Sequence, residues 1–188
     1  KGILTRRQHD KALESIIKSC QKVNKDKASS SDSKIKPLLI KIAPDLSDEQ
    51  LVAVVNTARG AGCNGIIATN TTVERPKTFS KSEEKIFAET GGLSGAPLTK
   101  RSTDMIHQIY SMTNGEWPIV GVGGIQSADD AWDKIGAGAT LLQAYSGFVF
   151  EGAALTRSII HGLDKKLKEN GYSSLQEAVG FAHRSKNE

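Results

Sequence analysis

The sequence predicts an α/β fold, a parallel sheet with crossover helices of the (β/α)8 barrel kind, and three observations predict it. Short apolar runs of strand length recur at residues 38–43 and 65–68 and in the first halves of 118–125 and 140–147. Helix-period segments separate them, and alternation of this sort gives parallel strands with right-handed crossovers. Polar or small residues capable of chemistry follow each run in turn: Lys41, then Asn70 with Thr71, Gly123 with Gly124, and Tyr145 with Ser146. An open doubly wound sheet also fits the alternation, but residues at every strand's carboxyl end describe the functional rim of a barrel. Four strands are visible where a barrel closes with eight, so the chain is expected to supply the C-terminal four βα units as one domain over 1–188.

At 188 residues the chain is long enough to bury a core. Charged residues are 24% and hydrophobic ones 38%, with a net charge of +4. Aromatics are 5%, and no zinc or helix-turn-helix spacing accompanies the basic balance, which argues against nucleic acid. Cys20 and Cys63 form no CxxC pair and read as reduced thiols. No run approaches the roughly 18 apolar residues of a membrane span. The opening Lys-Gly-Ile-Leu-Thr, without Met, reads as a piece of something longer.

Residues 5–21 read as a helix with Ala12, Leu13, Ile16 and Ile17 in one stripe. Residues 22–36 hold five Lys, four Ser and two Asp and read as a flexible, solvated insertion. The strand at 38–43 stops at Pro44. Ser47 with Gln50 forms a capping box for a helix whose Leu51, Val54, Val55 and Ala58 face a sheet. Gly60 and Gly62 end it, and the strand 65–68 runs into Thr69-Asn70-Thr71-Thr72. The excursion 73–97 has a charged middle and a glycine-rich end; loops of that length are usually functional. Helices follow at 98–113, 127–137 and 153–170, the last broken near Gly162, and a second capping box at Ser174 and Glu177 opens a short final one.

Lys41, within the apolar run 38–43, is either on a solvated edge strand or a buried cation aimed at a cofactor that gains negative charge. Asn70 can donate and accept at once, which suits a planar carboxamide or imide, although Thr and Asn are also ordinary strand-exit residues. Gly91, Gly92, Gly95, Gly123 and Gly124 read as turn glycines or as bare backbone beside a phosphate. No GxGxxG opens a helix, so a dinucleotide fingerprint is disfavoured. His9, His107, His161 and His183 lack metal-ligand spacing and read as surface or packing residues; no metal cluster or Ser-His-Asp set is expected.

Five motifs in series resemble one family. Lys41 to Leu46 (KIAPDL), Thr69 to Thr72 (TNTT), Glu89 to Gly95 (ETGGLSG), Gly121 to Gly124 (GVGG) and Gln143 to Ser146 (QAYS) are similar to the C-terminal half of a dihydroorotate dehydrogenase of the quinone-using, membrane-associated class. The resemblance runs over about residues 36–184. It implies an FMN-containing (β/α)8 barrel that oxidises dihydroorotate to orotate in pyrimidine synthesis and passes electrons to ubiquinone. It also implies that Lys41 and Thr69 contact the flavin ring or ribityl chain, that Asn70 and Thr71 bind orotate, and that Ser94, Gly95, Gly123, Gly124, Tyr145 and Ser146 cradle the ribityl chain and phosphate. Ser146 stands where the family pattern has Thr, and either offers a hydroxyl.

The serine that acts as base in this class belongs to an Asn-rich segment of the N-terminal half, which has no match here, so no catalytic residue is expected in this chain. The expected partner is that N-terminal half, which also carries the membrane and quinone contacts. The class implies the inner mitochondrial membrane in a eukaryote, towards which the Ser/Lys-rich insertion leans, or the cytoplasmic membrane in a bacterium. Two alternatives stand beside this reading: a soluble-class enzyme using fumarate or NAD, and a half-barrel that binds flavin or phosphate without turnover.

Overall fold

The computed structural model describes residues 10–30, 33–77 and 80–184. Its elements alternate as the pattern requires: α1 (Asp10–Ser30), β1 (Leu39–Ile42), α2 (Asp48–Gly60), β2 (Gly65–Ala68), α3 (Lys81–Phe87), α4 (Thr99–Met112), β3 (Ile119–Val122), α5 (Ala128–Ala137), β4 (Leu141–Gln143), α6 (Ser146–Glu151), α7 (Ala153–Glu169) and α8 (Leu175–Ala178). Single 3-10 turns precede α4 and close the described chain. The strands are parallel and lie in the order β1-β2-β3-β4. A doubly wound sheet reverses its strand order at a switch point. This one steps sideways in one direction, as consecutive units of a barrel do.

Register and the two-residue period of a strand divide the sheet into two faces. Ile40, Ile42, Ile66, Ala68, Ile119, Gly121 and Leu142 share the face that meets the helices. Leu13 and Ile17 of α1, Leu51, Val54, Val55 and Ala58 of α2, and Met105, Ile106 and Ile109 of α4 complete that core. Each such fully buried aliphatic side chain contributes about 1.5–3 kcal/mol. A second cluster, Trp132 and Ile135 of α5 with Leu163 of α7 and Ala178 of α8, lies under the C-terminal end. The other face carries Leu39, Lys41, Ile67, Val120, Val122, Leu141 and Gln143, exposed at Lys41, Leu141 and Gln143 and buried at Val120 and Val122.

The capping box at Ser47 and Gln50 forms as its spacing predicts, and Leu51, Val54, Val55 and Ala58 are buried. Three expectations need correction. The helix expected over 5–21 extends to Ser30, so residues 22–30 are helical and not part of a flexible insertion; residues 5–9, 31 and 32 lie outside the described ones. Of the expected stripe Leu13 and Ile17 are buried while Ala12 and Ile16 are exposed, and the contact continues in polar residues. Gln21 Nε2 donates to Ala61 O (2.7 Å) and Gly62 O (3.0 Å), and Asn24 exchanges two hydrogen bonds with the Lys36 backbone. Hydrophobic periodicity cannot see a contact face made of amides.

The helix expected to break near Gly162 runs on unbroken. Gly162 serves close packing there: a Cβ at that position would lie 2.3 Å from the Ala128 Cβ on α5. The excursion 73–97 contains a helix that the reading missed, α3, with its own capping box from Ser80 and Glu83. No helix among the described residues is long and apolar enough to cross a membrane.

Candidate functional site

The carboxyl ends of the four strands open into one cleft of about 190 Å³. All ten sequence-predicted site residues line it: Lys41 from β1; Thr69, Asn70 and Thr71 beyond β2; Ser94 and Gly95 from the excursion; Gly123 and Gly124 beyond β3; Tyr145 and Ser146 beyond β4. The volume falls below the roughly 300–1,000 Å³ of ordinary ligand pockets because one side is unwalled. Leu98, Val122, Ile125, Gln143 and Ala144 also line the cleft and were given no role from sequence, although Val122, Gln143 and Ala144 lie inside the quoted motifs.

Of the two readings of Lys41, the structure gives the solvated edge strand and not the buried cation. It lies on the sheet face away from the helix-packed core, in register with Ile67, and is solvent-exposed while it lines the cleft. The sheet covers it from one side only, so the apolar run around it buries its neighbours and leaves its ammonium wet.

The TNTT segment is held from below. Thr69 N donates to Val122 O, Asn70 N donates to Ile42 O (2.7 Å), and the Asn70 side-chain oxygen accepts from Thr71 N (2.9 Å). Among the described residues the Asn70 side chain bonds through its oxygen alone, which leaves its amide nitrogen as a donor. Thr72 is buried and donates from its hydroxyl to the Asp45 carboxylate, which also accepts from Val73 N. Asp45 belongs to the KIAPDL motif, so this contact joins the motifs beyond β1 and β2.

The excursion folds back onto this segment. Thr72 and Leu93 form an antiparallel bridge with reciprocal bonds of 3.0 and 2.8 Å. Gly92 is required for the approach: a Cβ there would fall 1.9 Å from Thr71 Oγ1. Arg75 clasps the loop, donating from Nε to Phe87 O (2.9 Å), from Nη1 to Thr72 O and Glu74 O, and from Nη2 to Glu89 O and Gly91 O (2.8 Å). One planar guanidinium thereby supplies donors to five loop carbonyls. The sequence reading missed Arg75; its place just after TNTT, in a segment otherwise rich in Lys, was the available signal.

Gly123 and Gly124 take φ values of +119° and +70°. A Cβ on Gly124 would sit 2.0 Å from Thr99 Oγ1 and 2.6 Å from Thr99 N, so the backbone has to be bare there. Thr99 Oγ1 donates to Gly124 O (2.9 Å) and Ser102 Oγ donates to Gly123 O (3.1 Å), fixing the turn on α4. Opposite, Gly95 (φ +91°) would place a Cβ 3.4 Å from Ser146 Oγ, closing the space between the two loops. Ser146 begins α6, whose first backbone N–H groups have no intrahelical acceptor. Among the described residues no group of three or more His, Cys, Asp or Glu could hold a metal ion.

Tips of successive parallel strands gathered on one cleft, with a short extra helix after the last, define the ligand-binding rim of a (β/α)8-type protein, the place where such folds receive phosphorylated ligands. A family model described as dihydroorotate dehydrogenase matches residues 1–167, and the chain belongs to that family. A protein from Trichodesmium erythraeum named dihydroorotate dehydrogenase (quinone) is 48% identical over 153 residues, which cover 79% of this chain and 40% of that protein. One of the same name from Rippkaea orientalis is 41% identical over 181 residues, 94% of this chain and 46% of that protein.

A crystal structure of DHODH from Eimeria tenella in complex with ferulenol superposes with a TM-score of 0.86 at 34% identity, over 98% of this chain and 51% of that one. The ligand-free form gives 0.85 at 36% identity, over 98% and 53%. The chain spans about half the length of the relatives it matches. The resemblance to the quinone-using class read from five motifs agrees with these relatives' names. The two curated relatives are bacterial, which weighs against the mitochondrial compartment expected from the Ser/Lys-rich segment.

Proposed function

We propose that this chain is the cofactor-holding C-terminal half of an FMN-dependent dihydroorotate dehydrogenase that oxidises dihydroorotate to orotate and delivers the electrons to a membrane quinone. The observation that carries the reading is that four consecutive strand tips, in a chain of this family, bring all ten predicted residues to one cleft. The bare backbone at Gly123–Gly124 and the gap kept open by Gly95 fit a phosphate and its ribityl chain. When bound, FMN supplies two-electron redox chemistry between dihydroorotate and a quinone. Lys41 presents a positive charge on the concave face, where it favours any negative charge that builds on the bound ring. The Asn70 amide, its oxygen tied to Thr71 N, offers its N–H₂ to a substrate carbonyl, and Thr71 stands beside it.

The proton taken from dihydroorotate goes to a serine of the N-terminal half, which this chain lacks. The open side of the cleft and the exposed apolar side chains beside β4 support docking of that half there: Leu141 is 64% exposed, Val149 63% and Phe150 83%. The same half supplies the contact with the membrane.

Joined to its N-terminal half, the protein is expected to purify with a flavin absorbance band, to bleach on adding dihydroorotate and to recover on adding a quinone. Recovery with fumarate or NAD instead of quinone would reassign the acceptor, and a colourless protein would end the flavin reading. In that enzyme Asn70→Ala should weaken orotate binding by about tenfold or more, the cost of an unpaired polar group on the ligand, while flavin affinity holds. Flavin loss with intact orotate binding would reverse the assignment.

A further inference from the structure

Lys134 of α5 is fully buried, the largest such side chain among the described residues, and the chemistry proposed above makes no use of it. Its three N–H donors are all taken: Ser102 Oγ at 2.6 Å, Thr103 Oγ1 at 2.9 Å and Thr99 O at 3.3 Å. Among the described residues no carboxylate forms an ion pair with it. Burial draws its pKa down to about 8, against the opposing pull of Asp130, Asp133 and Asp104. The ammonium therefore stays mostly charged at neutral pH, held by hydroxyls and a carbonyl, with the aspartates acting on it only from a distance and none bonded to it. A cation kept that way is costly, and an aliphatic side chain of similar length would fill the space at less cost.

A negative charge joined to this network by hydrogen bonds has a place to sit. Ser102 Oγ accepts from Lys134 and donates to Gly123 O, the nearer of its two carbonyl acceptors at 3.1 Å against 3.3 Å for Thr99 O. The Gly123 carbonyl and the Gly124 N–H belong to one peptide unit, and that unit is trans, the cis bond of the described chain being Ala68–Thr69. In a trans peptide the N–H points opposite to the C=O. With the carbonyl aimed at α4, the Gly124 N–H is aimed away from it, on the side of the cleft that Gly124 lines. Ammonium, hydroxyl, carbonyl and amide thus form a chain in which each bond polarises the next.

We infer that Lys134 is a positioning residue for the anion site: through Ser102 it orients and charges the Gly123–Gly124 peptide, and a phosphate in the cleft is its counter-ion. This rests on the placement of the FMN phosphate at that turn. The complete enzyme, stripped of flavin, is titrated at neutral pH with FMN and with riboflavin, which differ only by the phosphate, and flavin fluorescence reports binding. Lys134→Met is expected to weaken FMN by about tenfold or more, the scale of a lost interaction with a charged group, and to leave riboflavin unchanged. Ser102→Ala, which removes one hydroxyl, should shift FMN alone in the same direction by less.

Equal weakening of both flavins would make Lys134 a packing residue, and unchanged affinity for both would remove its role. If Lys134→Met yields no folded protein, the ratio of the two affinities in Ser102→Ala decides by the same criteria. A wild-type enzyme that binds the two flavins equally would overturn the phosphate placement itself. Wild-type preference for FMN that survives both substitutions would overturn the role of Lys134 alone.

Discussion

Gly124 shows how little freedom the site leaves a single residue. Its φ of +70° excludes most side chains at no strain, and the Thr99 backbone lies 2.6 Å from where a Cβ would go. Gly124→Ala should therefore cost about 1–3 kcal/mol and lower the unfolding midpoint, because α4 must retreat before the methyl fits. An unchanged midpoint would mean that the turn relaxes freely and is not held by Thr99. Gly92 and Gly162 are set by the same kind of contact, against Thr71 and Ala128 respectively. Such glycines look alike in sequence; the neighbour that forbids a side chain belongs to another element each time. Lys41 gives the complementary lesson: its place on the strand was legible, but its exposure depends on what covers the other sheet face.

At the scale of elements, the excursion between β2 and α4 is organised by one cation. Arg75→Ala would release the carbonyls of Glu74, Phe87, Glu89 and Gly91, while Thr72 O keeps Leu93 N and the Thr72–Leu93 bridge stays as the main tie among the contacts described. The expected result is faster amide exchange over residues 84–95, with the core strands unchanged. Uniform protection across the loop would show the clasp to be dispensable. The C-terminal 3-10 turn is latched differently. His183 Nε2 lies 2.8 Å from His107 Nδ1 and 3.0 Å from Ala137 O, and Ser111 Oγ is 3.3 Å from its other ring nitrogen.

Burial, then the nearby His183, lower the His107 pKa below 6.5, and Asp104 only partly offsets them. A lowered folded value means that the unfolded chain takes up the proton first. The latch is then intact above the ordinary histidine pKa and is lost as pH falls through the lower folded one. Between about pH 7.5 and about pH 5.5 the protein should lose stability, and His107→Gln should lose less over the same interval. Equal losses in unfolding midpoint would exclude the pair as the cause. None of this was legible from histidine spacing, because the two residues lie 76 positions apart and meet only through packing.

At the scale of the molecule, the order of elements and the residues at the strand tips were legible because a barrel rim is local: most of the cleft residues lie at or just beyond the end of their own strand. Periodicity located β1 to β4, and the motifs located the cleft. What stayed hidden was everything supplied by a second element: the helical run of residues 22–30, held by Gln21 and Asn24; α3; Arg75; and the Lys134 network. Four strands give half of a closed sheet, with Leu141 and Gln143 of β4 and Lys41 of β1 exposed at its two edges. Produced alone, the chain should self-associate through those edges and hold no flavin; light scattering and flavin absorbance would show both. Supplying the N-terminal half in trans should reverse each. A monomeric, yellow half-chain would contradict this.

The Asn24 tether to Lys36 brings the chain into β1 at its amino end, whereas the cleft lies at the carboxyl ends. The Lys- and Ser-rich stretch therefore belongs to the pole remote from chemistry. Its length can drift between related proteins, or be cut and retied in the laboratory, without the reacting groups registering the change.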